Sequence, residues 1–184
     1  PLININIRKG FYDGLRRNSF ICRVILKCNN RNLGVVGSEI LSTYRRNSSH
    51  LIQLKILQAD FQQSELEHVA LTVRSCSNLK EVTLYQCNIT DQKLLSIVEA
   101  LRGQSSLERL YLNRNRIGND GCQALATLLS HPNSNVQEIQ LSDNNIDNEG
   151  AIAICNSLIN NTKLKKIFLS DNPIDRNVKD VFYN

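Results

Sequence analysis

The chain has 184 residues, of which 41% are apolar, and a formal net charge of +5. So much apolar content excludes a disordered tail, and no apolar run approaches the ~18 residues of a membrane-spanning helix. The charge is uneven: residues 1–50 hold nine basic side chains (Arg8, Lys9, Arg16, Arg17, Arg23, Lys27, Arg31, Arg45 and Arg46) against Asp13 and Glu39, whereas the rest holds 13 basic against 15 acidic residues.

In chain order, the opening stretch PLININIRKGFYDG has no apolar segment behind a basic start, so it does not read as a secretion signal. The sequence contains no Met and is expected to be a piece of a longer array. Residues 1–22 read as the helical half of a degenerate first unit, because FYDGLRRN echoes the later LSTYRRN. From residue 23 a pattern sets in, with apolar residues at offsets zero, three, five and ten and a small or polar residue at offset eight. It begins loosely as Arg23-Leu26-Cys28-Arg31-Leu33. It continues as Leu51-Leu54-Ile56-Ala59-Phe61 and Leu79-Val82-Leu84-Cys87-Ile89. The next units are Leu107-Leu110-Leu112-Asn115-Ile117 and Val136-Ile139-Leu141-Asn144-Ile146. The last, Leu164-Ile167-Leu169-Asn172-Ile174, is shortened at Asn184. The starts at 23, 51, 79, 107, 136 and 164 are separated by 28 or 29 residues, a register that chance does not hold over five steps.

Each unit has a second half with helical period. Leu94, Leu95, Ile97, Val98 and Leu101 make one stripe; Cys122, Ala124, Leu125, Leu128 and Leu129 make another. Ala151, Ile152, Ile154, Cys155 and Leu158 make a third. The helix starts are expected at Ser64, Thr90-Asp91, Asn119-Asp120 and Asp147-Asn148, whose side chains accept from free backbone N–H groups. A strand and a helix every 28 residues cannot bury their apolar sides alone. Stacked, they form a curved parallel sheet with a layer of helices outside it.

The LxxLxLxxN/CxL pattern followed by a helix resembles the leucine-rich repeats of the ribonuclease-inhibitor type. Similar arrays occur in NOD-like receptors and Ran GTPase-activating proteins. The resemblance covers residues 23–184 and implies an α/β horseshoe solenoid, with strands on the concave side and helices on the convex side. It also implies that the concave sheet and its adjoining loops bind a protein. It does not name the partner, because a shared fold does not carry one over.

Strand side chains alternate, so offsets two, four, six and seven are expected to line the concave face. The offset-two row is Ile25, Gln53, Glu81, Arg109, Glu138 and Lys166. The offset-four row is Lys27, Lys55, Thr83, Tyr111, Gln140 and Phe168. Offset six gives Asn29, Leu57, Tyr85, Asn113, Ser142 and Ser170; offset seven gives Asn30, Gln58, Gln86, Arg114, Asp143 and Asp171. The face grades from lysines to aspartates. Its centre carries Tyr85, Tyr111, Arg109, Asn113 and Arg114, with Lys55 to one side and Phe168 near the far end. Tyr and Arg each bury much area and keep a polar end, which is why they dominate binding hot spots. These seven residues are the candidate partner-binding set. The bland alternative is that the tyrosines and arginines stack on one another and only solvate the sheet.

The offset-eight Asn115, Asn144 and Asn172 read as scaffold. An amide both donates and accepts, so it can satisfy the backbone of the turn that leaves the strand. Cys22, Cys28, Cys76, Cys87, Cys122 and Cys155 form no CxxC and no disulfide spacing, so zinc is not expected and reduced thiols are. That places the protein in the cytoplasm, whether its own cell's or, for a secreted bacterial effector, a host's. His50, His68 and His131 are scattered, and the sequons at Asn47, Asn88 and Asn160 are what abundant Asn produces by chance. No phosphate loop, nucleophile elbow or HExxH occurs, so no catalytic, cofactor or metal residue is assigned and no small-molecule substrate is expected.

The expected function is a non-catalytic protein-binding module. The alternative is an architectural subunit of a large assembly, including a ribonucleoprotein, which the basic first 50 residues would suit. Direct nucleic-acid binding is the weaker reading, since no aromatics interleave with the basic residues. GTPase activation, which the resemblance to Ran GTPase-activating proteins allows, rests only on Asn-rich loops and is remote.

Overall fold

The computed structural model describes residues 22–46 and 50–178. The degenerate half-repeat assigned to residues 1–22 lies outside them, Cys22 apart, as does the sequon at Asn47. Among the described residues, six strands alternate with five helices. They are β1 (Arg23–Arg31), α1 (Gly34–Arg46), β2 (Gln53–Ala59), α2 (Gln63–Ser75), β3 (Glu81–Tyr85) and α3 (Asp91–Leu101), then β4 (Arg109–Tyr111), α4 (Asn119–Leu129), β5 (Glu138–Gln140), α5 (Asn148–Ser157) and β6 (Lys166–Phe168). The strands form one parallel sheet in sequence order, β1 to β6. Every helix packs on the helices before and after it. This is the α/β leucine-rich-repeat solenoid that the period requires.

The register keeps the repeat from β2 onward, but the first unit departs from its expected rows. Arg23, Ile25 and Lys27 pair with Gln53, Lys55 and Leu57, two residues out of step, and Val24 rather than Arg23 enters the core. A bulge between Lys27 and Arg31 brings Arg31 back beside Ala59. Gln53, Glu81, Arg109, Glu138 and Lys166 are partners across successive strands, and so are Lys55, Thr83, Tyr111, Gln140 and Phe168. Residues at offsets zero, three and five are sealed between sheet and helices in the middle units: Leu79, Val82, Leu84, Leu107, Leu110 and Leu112 have no exposed surface. From the helices, Leu94, Ile97, Val98, Leu101, Leu125 and Leu128 meet them. Burying each such side chain is worth about 1.5–3 kcal/mol. This continuous layer, rather than any single unit, carries the fold. The last strand is thinner in cover, with Leu164 and Ile167 only partly buried.

The asparagine ladder spans the units. Asn115 Oδ1 accepts from the N–H of Cys87 and of Ile89, at 2.9 and 3.1 Å. Its Nδ2 donates to the carbonyls of Leu84, Leu112 and Asn113. Asn144 accepts from Ile117 and donates to Leu112, Leu141 and Ser142. Asn172 accepts from Ile146 and donates to Leu141, Leu169 and Ser170. In the third unit Cys87 takes this place. Its thiol donates to Ile56 and Tyr85 carbonyls at 3.3 Å, a weaker copy of the same bonds.

A second ladder runs along the helix starts, and it corrects two expectations. The cap of α2 is Gln62 rather than Ser64, in a box with Glu65. Gly118 caps α4 with no side chain, so Asn119 is not its cap. Thr90 and Asp147 do cap α3 and α5 from their side chains. Gly118 is fixed from the previous unit instead: Asp91 Oδ1 receives the Gly118 N–H itself at 2.6 Å. Asn119 similarly receives Asp147 and Gly150, and Asn148 receives Asp175. Gly121 is small for the same reason. A Cβ there would stand 2.5 Å from Asp91 Oδ1 and 2.7 Å from Ile117 Cγ2.

All six cysteines are free thiols. Cys76, Cys87 and Cys122 are buried, and burial pushes their thiols up to about 11, 12 and 12 respectively. They behave as small core residues.

Candidate functional site

Parallel strands place equivalent residues about 4.8 Å apart. On the concave face this turns a row of alternating charge into a chain of ion pairs. Lys55 Nζ lies 2.8 Å from Glu81 Oε1, and Arg109 Nε lies 3.2 Å from Glu81 Oε2. Arg109 also reaches Glu108 at 3.3 Å, and Glu108 holds Lys80 at 3.0 Å. Glu81 is the hub. It is only 6% exposed, and Thr83 beside it 7%, so these two positions do not face solvent as strand alternation alone would have them. The long side chains of Lys55 and Arg109, one on each neighbouring strand, pair across Glu81 and close over it. Burial alone would raise the Glu81 pKa, but hydrogen bonds from Lys55 and Gln53, with the Lys55 charge and a bond from Arg109, outweigh it and hold the carboxyl below its usual range.

The seven candidate residues divide by what already holds them. Tyr111 is half-buried between Thr83 and Gln140. Burial raises its phenol pKa first, and the carboxylates of Glu138 and Glu81 add to the rise. Tyr85 is half-buried on β3, and Arg114 lies over its ring at 5.7 Å from the centroid. Arg114 is tied at its other side to Asp143 at 3.1 Å, with both side chains more than half exposed. Asn113 donates to Gln140 Oε1 at 2.8 Å and accepts from the Ser142 N–H at 2.9 Å. Lys55 and Arg109 are held by Glu81. Phe168 stands apart on β6, two strands from Tyr111 in the same row and 43% exposed. Tyr85, Tyr111, Arg109, Arg114, Asn113 and Lys55 thus share one surface over β2 to β4 and the turn after β4.

Two features escape strand alternation. Glu81 and Glu138 set the electrostatics around the tyrosines, and the sign change Glu81-Arg109-Glu138-Lys166 along offset two was the signal for them. The other is backbone. Asn30, Gln58, Gln86, Arg114, Asp143 and Asp171, the whole offset-seven row, have φ between +54° and +62°. Arg114 is therefore dictated by the scaffold in conformation, though not in identity. Asn and Asp tolerate this region and Arg does so less well. Asn30, Asp143 and Asp171 were its partial trace in the sequence, interrupted by Gln58, Gln86 and Arg114.

Among the described residues, no group of three or more His, Cys, Asp or Glu side chains could hold a metal ion. No helix among them is long and apolar enough to cross a membrane.

Known proteins agree with this geometry. A family model described as "Leucine Rich repeat" matches residues 103–126 and 133–155. Human "NACHT, LRR and PYD domains-containing protein 5" is 32% identical over 108 residues, 59% of this chain and 9% of that protein. Its mouse counterpart is 27% identical over 151 residues, 81% of this chain and 13% of that protein. Mouse "Ribonuclease inhibitor" is 29% identical over 94 residues, 51% of this chain and 21% of that protein. The chain thus spans a small part of the length of these relatives. The chain is thus similar to leucine-rich-repeat proteins of the ribonuclease-inhibitor type, in keeping with its period and its six-stranded parallel sheet.

Proposed function

We propose that this chain is a non-catalytic protein-interaction module that holds another protein on its concave face, over β2 to β4. The observation that carries this reading is the juxtaposition of Tyr85 and Tyr111 with Arg109 and Arg114. Arg114, itself paired with Asp143, lies over the Tyr85 ring, and Tyr111 is half-buried with Glu138, Glu81 and Arg109 around it, so both side chains are ordered before a partner arrives. Ordering them in advance lowers the entropy cost of binding. Asn113 and Lys55 frame the pair, and Phe168 offers a second apolar contact further along the row. The relative called ribonuclease inhibitor suits the idea of a module that grips a protein, but its named target does not transfer. A basic enzyme needs an acidic surface, and this face is mixed, with Glu81 held by Lys55 and Arg109 and Asp143 by Arg114.

The test is a triple substitution, Tyr85→Ala, Tyr111→Ala and Arg109→Ala, in the chain used as bait for affinity capture from its source cell. The expected result is loss of the captured partner, with the cooperative unfolding transition retained. A partner that still binds the triple variant would move the site to the helices or to the basic N-terminal part.

A further inference from the structure

The turns that follow β1 to β4 form a shallow depression of about 320 Å³ beside the tyrosine surface, lined by Asn30, Asp60, Gln86, Asn88, Arg114 and Arg116. Arg116 is exposed and makes no ion pair among the described residues. Arg31, at the end of β1, is exposed and equally without one; its carbonyl accepts the Asp60 N–H, so it stands next to the same edge. Arg114 is spoken for by Asp143 and Tyr85. Between the two open guanidinium groups lies Asp60, which already takes Asn88 Nδ2 at 2.9 Å and Lys93 at 3.8 Å. Past Arg114 the edge turns acidic, with Asp143 and Asp171.

We propose that this edge receives an extended acidic segment of the protein partner, with two carboxylates about four residues apart, one on Arg31 and one on Arg116. The proposal rests on the concave face being the docking surface and says what chemistry continues from it. The spacing follows from the sheet. Three strand steps separate the units of Arg31 and Arg116, about 14 Å at ~4.8 Å each, and an extended chain covers that in about four residues at ~3.3 Å per residue. Asp60 between the arginines repels a polymer charged at every unit, such as a nucleic acid, but accepts the N–H groups of a peptide. The Asp143 and Asp171 end repels a polyanion again. An isolated guanidinium with no acid beside it is a ready bidentate seat for a carboxylate.

The experiment is panning of a peptide phage library on the intact chain, followed by fluorescence anisotropy with the enriched peptides in fluorescein-labelled form. The expected outcome is enrichment of Asp and Glu at a four-residue spacing. Binding should weaken by about tenfold or more on Arg31→Glu with Arg116→Glu, and weaken as salt rises. Neither arginine has an ion pair to lose, so thermal unfolding should stay unchanged. Selected peptides without acidic enrichment, or indifferent to the double reversal, overturn the proposal, and so does an empty selection. If such peptides are still lost on the Tyr85, Tyr111 and Arg109 triple variant, the concave reading stands while this one falls. Acidic peptides lost on the double reversal but kept by the triple variant support the edge, since a short peptide seated there need not reach the tyrosines, and the concave reading is then judged by partner capture alone. Labelled oligo-dT that binds more tightly than any selected peptide overturns it in favour of nucleic acid.

Discussion

The first three units and the last three solve one problem in two ways. In β1, β2 and β3 the strands run nine, seven and five residues, and the offset-eight residues are Arg31, Ala59 and Cys87. In β4, β5 and β6 every strand has three residues, and offset eight is always Asn. A buried backbone group must find a partner. The asparagine amide supplies it at the turn, taking N–H groups of the unit before, as Asn115 takes those of Cys87 and Ile89. Arg31 and Ala59, which have no amide, remain strand partners, whereas past the short strands of the later units the backbone keeps single bonds, from Leu112 to Gln140 and from Arg114 to Ser142. The candidate surface lies across the join, with Lys55 and Tyr85 from the first half and Arg109, Tyr111, Asn113 and Arg114 from the second.

The contrast is broken most directly at Asn144. Asn144→Ala removes one acceptor and a donor shared by three carbonyls, and should cost about 3 kcal/mol, read from urea unfolding. No loss would defeat the account of the ladder. Cys87→Ala should cost only about 1 kcal/mol, because a thiol donor is weaker and leaves less unsatisfied. Cys87→Asn sharpens the comparison, since it should recover that loss if the third unit can host an amide.

Smaller effects probe the charged face. Glu81→Gln should destabilise by about 1 kcal/mol near neutral pH: the carboxylate is buried, but its partners Lys55 and Arg109 keep part of their surface in water. The folded carboxyl titrates below its unfolded value, so the native state holds fewer protons there. Its stabilisation is complete above the unfolded glutamate range and fades as pH falls through the folded pKa. The difference between wild type and Glu81→Gln should therefore vanish in acid, as chemical denaturation at a series of pH values would reveal. A constant difference would mean that packing, not charge, gives Glu81 its effect. Smallest of all is Arg114→Asn. It should change stability by less than about 0.5 kcal/mol, because lost contacts with Tyr85 and Asp143 are offset by a residue better suited to positive φ. It should still weaken partner capture.

The rows of the concave face could be written out from the period, and the register reproduces them from β2 to β6; β1, whose motif is the loosest, is two residues out of step. What the period did not contain was which members of a row stay open. Glu81 and Thr83 share the outward parity of Arg109 and Tyr111, yet they lie under their neighbours. Covering depends on the length of side chains one strand away, which no single strand records. The helix caps show the same division. Thr90 and Asp147 cap locally and could be read locally. Gly118 depends on Asp91 from the unit before, and only stacking brings that carboxylate to it.

The sequence by itself determined the unit length, the parity of every strand, the buried leucine rows and the place of the asparagines. These depend on residues within one repeat, where the period of the backbone dictates which side chains share a face. Tertiary structure decided the rest: that Glu81 is sealed by Lys55 and Arg109, that Arg114 is held at φ +56° over Tyr85, and that Arg31 and Arg116 stand open along one edge. Each of these depends on distances between units. Such distances follow from stacking, and stacking becomes determinate only when the whole array has buried its apolar faces together.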